Sequence, residues 1–109
     1  MLKVEVILGQ NDVMAISEEL KKIGIGGLTV SKVRGRGKKP GPEIHASKGS
    51  EIFTPQFNDK YLLEAIIPDT KEEEIIGIIK KHGRIGKIFV SQILRAIDIS
   101  TGTEGENTI

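Results

Sequence analysis

Five cations stand within eight residues, Lys32, Arg34, Arg36, Lys38 and Lys39, with Gly35 and Gly37 among them. Glycine between basic side chains lets a backbone approach an anion closely, so that N–H groups and side-chain charge act on one phosphate together. A solvated basic loop is the bland alternative for a charge run standing alone. The two histidines, His45 and His82, have no partner at metal-ligand spacing, and no Ser/His/Asp arrangement can be argued from the sequence. No G-x-x-x-x-G-K-[ST] phosphate loop is present, and neither Gly24-Ile25-Gly26-Gly27 nor Gly35-Arg36-Gly37 completes a dinucleotide fingerprint. Cysteine is absent, which excludes disulfides, thiol nucleophiles and thiolate metal sites. The chemistry on offer is anion binding, and the chain is read as a non-enzyme.

The elements that must hold these residues follow from apolar spacing. Leu2, Val4, Val6 and Leu8 alternate with Lys3 and Glu5, the period of a half-buried strand. Asn11 or Asp12 can cap a helix whose apolar positions are Val13, Ile16, Leu20 and Ile23, and Gly24, Gly26 and Gly27 stop it. Residues 28–33 form a second strand rich in β-branched side chains. Tyr61 to Ile67 is a third, near-continuous apolar strand. Pro68-Asp69-Thr70 opens a second helix through Lys81, with Ile75, Ile76, Ile78 and Ile79 facing inward. Gly83 and Gly86 bracket a tight connection to a fourth strand at Lys87-Ile88-Phe89-Val90. Ile93, Leu94, Ile97 and Ile99 extend the apolar pattern, and a polar tail covers residues 100–109. The order strand-helix-strand, twice, is the α+β, ferredoxin-like βαββαβ plan.

A chain of 109 residues has room for one core, so a single domain over residues 1–109 is expected. Sixteen Lys and Arg against fifteen Asp and Glu leave no net field to attract nucleic acid or an anionic membrane. A ferredoxin-like sheet that stacks RNA bases needs aromatics on its face, and the first strand has none. No apolar run approaches the roughly 18 residues of a membrane span, and no signal peptide is visible. A cytoplasmic location is expected. Between residues 36 and 59 the periodicity vanishes: glycines at 37, 41 and 49 and prolines at 40, 42 and 55 punctuate a loop between strands two and three. A loop this long in so small a domain is usually functional or disordered.

The order of elements resembles the PII nitrogen-regulatory signalling proteins. So do the Gly35-Arg36-Gly37 loop entry, Lys48-Gly49-Ser50-Glu51, Gly86-Lys87-Ile88-Phe89-Val90 and the ending Thr101-Gly102-x-x-Gly105. The likeness covers the whole chain. It implies a homotrimer of ferredoxin-like subunits with nucleotide in the clefts between neighbours. ATP and ADP compete there, and 2-oxoglutarate joins Mg-ATP; none of these is an obligatory cofactor. It implies further that the long loop docks onto a partner, an ammonium transporter or a metabolic enzyme, so that the membrane is met only through a transporter.

Carried over residue by residue, the resemblance gives Ile7, Gly27, Leu28, Thr29 and Ile66 to the adenine and ribose. Gly35, Gly37 and Lys38 fall to the loop base beside the phosphates, and Gly86 and Lys87 to the end of a second phosphate-binding loop. Lys60 matches the lysine that meets 2-oxoglutarate, and Lys39 replaces a glutamine that helps organise Mg and 2-oxoglutarate. Ser47 replaces a tyrosine that many bacterial members modify, and Ser50 matches a position phosphorylated in cyanobacterial members; a plain loop serine is the alternative. Other departures concern the phosphates. Residues 82–87 lack a Gly-Asp pair, and Asp98 and Ser100 stand where two arginines clamp the phosphates. A charge-assisted hydrogen bond contributes roughly 1.5–3 kcal/mol, so both losses together weaken binding unless Arg84, Lys38 and Lys39 restore charge. The alternative within the family is a sensor of AMP, bicarbonate or a metal-linked signal. Outside it, a trimeric copper-tolerance protein shares the fold but requires metal ligands near the subunit interface.

Overall fold

In the computed structural model, alternation along the first strand sets the architecture. The structure describes residues 1–37, 44–45, 52–53 and 56–109, the two short middle pieces by backbone alone. The elements are β1 (Leu2–Leu8), α1 (Gln10–Lys22), β2 (Leu28–Gly35), β3 (Ile44–His45), β4 (Ile52–Phe53), β5 (Asn58–Ile67), α2 (Glu72–His82) and β6 (Gly86–Gln92). Short 3-10 turns cover Asp69–Lys71 and Glu106–Thr108.

Four strands form one antiparallel sheet in the order β2-β5-β1-β6. The central strand β1 pairs with β5 from Leu2↔Ile67 to Leu8↔Tyr61 and with β6 from Leu2↔Gln92 to Leu8↔Gly86. β2 joins the far side of β5, from Leu28↔Ala65 to Gly35↔Asn58. This is the expected α+β, ferredoxin-like arrangement. Three strands run longer than periodicity alone indicated: β2 continues to Gly35, β5 begins at Asn58 and β6 reaches Gln92. The interval read as a patternless loop holds a two-residue ladder, β3 against β4, pairing Ile44↔Phe53 and His45↔Ile52. Two-residue strands are too short to leave a period in sequence.

One sheet face is covered by both helices. Val4, Val6 and Leu8 from β1 and Leu63, Ala65 and Ile67 from β5 meet Ile16 and Leu20 of α1 and Ile75 and Ile79 of α2. Each is at most 3 % exposed. Burying a Val, Leu or Ile side chain contributes roughly 1.5–3 kcal/mol. Of the four isoleucines expected inward on α2, Ile75 and Ile79 are fully buried and Ile76 and Ile78 half-buried, because positions four apart share one helical stripe. Glu72, Glu73 and Glu74 in the first turn of α2 and Lys80, Lys81 and His82 in the last complement its dipole.

The start of α1 differs from expectation. Its N-cap is Gly9, with no side-chain cap bond, and Asp12 lies inside the first turn and is buried. Its stop is as read. Gly24, at φ 87°, donates to Lys21 O at 3.1 Å, and Ile25 to Leu20 O at 3.0 Å. That pair of bonds is a Schellman motif, closed by contact between two core residues.

Beyond β6 the apolar pattern does not continue inward. Leu94, Ile97 and Ile99 are 86 %, 51 % and 101 % exposed. The tail is a tight reversal in which Ile97 bridges Glu104, Asp98 N–H donates to Thr103 O, and Gly105 N–H donates to Ala96 O. Among the described residues, no helix is long and apolar enough to cross a membrane.

Candidate ligand-binding site

The uncovered sheet face follows from the same register. Residues that alternate with the core side chains point away from the helices: Thr29, Ser31 and Val33 on β2, Lys60, Leu62, Glu64 and Ile66 on β5, Lys3, Glu5 and Ile7 on β1, and Lys87, Phe89 and Ser91 on β6. In the middle of this face Glu5 lies directly opposite Glu64, and Lys3 pairs with Glu5 at 3.0 Å. The Glu5 hydrogen bond and charge, with Glu64 behind them, raise Lys3 above its ordinary value of 10.5.

The sequence-predicted residues divide into two groups on this framework. Thr29 and Ile66 share the open face at one end of the β2–β5 pair, and Gly27 leads into them. The Leu28 side chain packs against the core, so Leu28 offers a ligand its backbone only. At the other end, Ile7 pairs directly with Lys87, and Leu8 with Gly86. Gly86 has φ 150°, and a Cβ there would lie 2.1 Å from Ile7 O, so no other residue permits this approach. Thr29 and Lys87 are on opposite edges of the sheet, edges that lie three strand spacings or about 14 Å apart.

Gly35 and Gly37 stand at the loop root, with the Lys60 side chain running past Gly35; a Cβ on Gly35 would meet Lys60 Cδ at 3.4 Å. Of the basic run, Lys32 and Arg34 share Asp59, at 3.4 and 3.9 Å, and Arg36 lies over the Phe57 ring at 5.9 Å. Lys38, Lys39, Ser47 and Ser50 lie outside the described residues, as does the His45 side chain. Among the described residues no group of three or more His, Asp or Glu is placed to hold a metal ion.

Asp98 and Ser100 are committed to each other. One Asp98 oxygen accepts from Ser100 N–H at 2.9 Å, Ser100 Oγ at 2.7 Å and Thr101 N–H at 3.0 Å. The Ser100 hydroxyl, followed by the two backbone donors, holds this carboxyl below its ordinary value of 3.8. An open hollow of about 580 Å³ lies alongside, lined by residues 96–100 with Thr108 and Ile109, away from both groups of predicted residues.

A family model described as "Nitrogen regulatory protein P-II" matches residues 1–103. The chain belongs to the nitrogen regulatory P-II family. It is 36 % identical to the nitrogen regulatory protein P-II of Haemophilus influenzae over the full length of both chains. With the P-II protein of Pyropia yezoensis it shares 42 % identity over 93 % of each chain. The Escherichia coli nitrogen regulatory protein GlnK is 37 % identical, with 94 % of this chain and 95 % of that one covered. The solved structure of Bacillus subtilis GlnK superposes with a TM-score of 0.78 at 27 % identity, covering 99 % of this chain and 97 % of the other. P-II proteins are regulatory signalling proteins, and that role comes with the membership.

One pairing in this P-II chain escaped the sequence reading. Asp12, expected as a cap, accepts Arg84 N–H at 3.1 Å and Arg84 Nε at 3.2 Å, one on each oxygen. Its side chain is 9 % exposed and that of Arg84 70 %. Arg84, considered as replacement charge for the missing arginines, is thus already half engaged. The signal was present in the spacing: Asp12, Ile16 and Leu20 fall four apart on one helical stripe, so Asp12 had to face inward and find a partner.

Proposed function

We propose that this P-II protein, one domain over residues 1–109, is a homotrimeric sensor. It takes an adenine nucleotide between subunits, ATP or ADP with 2-oxoglutarate joining Mg-ATP, and reports occupancy through the loop of residues 36–59 to an ammonium transporter or a nitrogen-metabolism enzyme. The observation that carries the reading is the division of Thr29 and Gly35 from Gly86 and Lys87 between opposite sheet edges, with Ile7 and Ile66 on the strands between them. A chain with half a site on each edge completes a site when the β2 edge of one copy meets the β6 edge of another. The uncovered face, with Ile7, Leu62, Ile66 and Phe89 interspersed with charge, supplies surface for that contact. The nucleotide is held by Thr29 and Ile66 at its base end and by Gly35, Gly37, Lys38, Gly86 and Lys87 at its phosphates. Lys60 and Lys39 serve 2-oxoglutarate. Ser50 is a candidate modification site.

A second reading is favoured by one observation. Asp98 and Ser100 are locked into a turn of their own, so the tail brings no cation to a triphosphate. That favours a ligand of lower charge: AMP, bicarbonate or a metal-linked signal. Calorimetric titration with ATP, ADP and AMP, each with and without Mg and 2-oxoglutarate, separates the readings. The nucleotide reading expects micromolar ATP or ADP binding; binding of AMP alone, or of no nucleotide, overturns it in favour of the second.

A further inference from the structure

The connection between α2 and β6 is pinned at three points. Gly83 N–H donates to Ile79 O at 2.8 Å, Arg84 is tied by its amide and Nε to Asp12, and Gly86 passes beneath Ile7 O. A carboxylate as buried as Asp12 is costly unless paired, so it fixes what it pairs with. Yet Asp12 uses only Nε of the five guanidinium N–H donors. Among the described residues the two Nη groups of Arg84 make no hydrogen bond. A planar guanidinium gripped at Nε keeps its outer edge aimed in one direction, and that edge suits bidentate contact with a phosphate.

We infer that Arg84 is a phosphate-binding residue of the ligand site and that Asp12 is the positioning residue that aims it. The inference rests on the reading that Gly86 and Lys87, two and three residues further on, face a nucleotide. It adds to that reading a cation held by the fold itself, in a chain whose tail supplies none. Asp12 also cancels part of the arginine's charge, so the pair strengthens binding through direction and not through net field.

Calorimetry with ADP, and with adenosine as the phosphate-free control, is run on the wild type and on Arg84→Gln, Arg84→Lys and Asp12→Asn, each checked for melting temperature and oligomeric mass. Arg84→Gln is expected to weaken ADP binding by about ten- to a hundred-fold and to leave adenosine unchanged. Arg84→Lys keeps the charge but not the fork and is not expected to rescue. Asp12→Asn makes the chain more positive and is nonetheless expected to weaken ADP. Tighter ADP binding by Asp12→Asn would show that net charge and not direction matters, and unchanged ADP binding by Arg84→Gln would reduce the tie to a structural pin; either overturns the inference. Arg84→Lys retains the amide bond to Asp12 and decides the matter where Asp12→Asn fails to fold. A wild type that binds no ADP overturns the nucleotide reading itself, an outcome distinct from the other two.

Discussion

The two faces of the sheet are made by the same strands from alternate residues. On β1, Val4, Val6 and Leu8 are at most 3 % exposed under the helices, while Lys3, Glu5 and Ile7 between them stay half-buried with neither helix across them. The buried part of the covered face is uniformly aliphatic. The other mixes isoleucine, leucine and phenylalanine with a Lys3–Glu5 pair beside Glu64. The first composition serves only to fold. The second is too apolar to be idle surface and too polar to be a core, a composition that suits the contact between copies proposed above.

The largest effect should come from the covered face. Leu63→Ala, at a residue 0 % exposed, is expected to cost about 2–5 kcal/mol in urea unfolding. A cost under 1 kcal/mol would mean that this face is not the core. Next is Gly86→Ala, where a Cβ 2.1 Å from Ile7 O must push β6 away from β1. The expected loss is on the order of 2–3 kcal/mol, read as a lowered melting temperature. On the open face the expectation reverses. Phe89→Lys, at a 52 % exposed residue opposite Glu5, should change the stability of the isolated chain by no more than about 0.5 kcal/mol. Light scattering should nevertheless show the assembly reduced to single chains, and a wild type that is itself monomeric would break the comparison outright.

The smallest effect is a pH dependence on the same face. Because Lys3 is raised above 10.5 in the folded state, the stability it brings is complete below that pH and fades as the pH rises through the raised value. Urea midpoints of the wild type should therefore fall more steeply above about pH 10.5 than those of Lys3→Met; parallel curves would deny the Lys3–Glu5 link.

Much of the fold was legible because its signals are periodic. β1, α1 and the α2 stripe follow from spacings of two and four, and the glycines at 24, 83 and 86 fall at the turns they punctuate. Strand ends at Gly35, Asn58 and Gln92 were not legible, since they depend on a neighbouring strand to bond with and not on side-chain pattern. The tail misled for a related reason: Leu94, Ile97 and Ile99 carry a core composition but lie beyond the last strand the helices cover. At the site, the family resemblance supplied the residues, and only the strand order revealed that Thr29 and Lys87 fall on opposite edges. Asp12 with Arg84 was missed because a first-turn aspartate reads as a cap until the opposite end of the chain is folded against it.

The central claim is that the binding site is shared between the β2 edge of one copy and the β6 edge of the next. It is tested most directly with two variants at exposed positions, Thr29→Arg on β2 and Lys87→Glu on β6. Each alone should lose ADP binding while keeping its fold and mass. Unfolded together and refolded as a mixture, they should regain wild-type affinity at roughly a quarter of the sites, the share of random neighbours that bring two intact edges together. A mixture that binds no better than its components would contradict a shared site, and with it the account given of both faces.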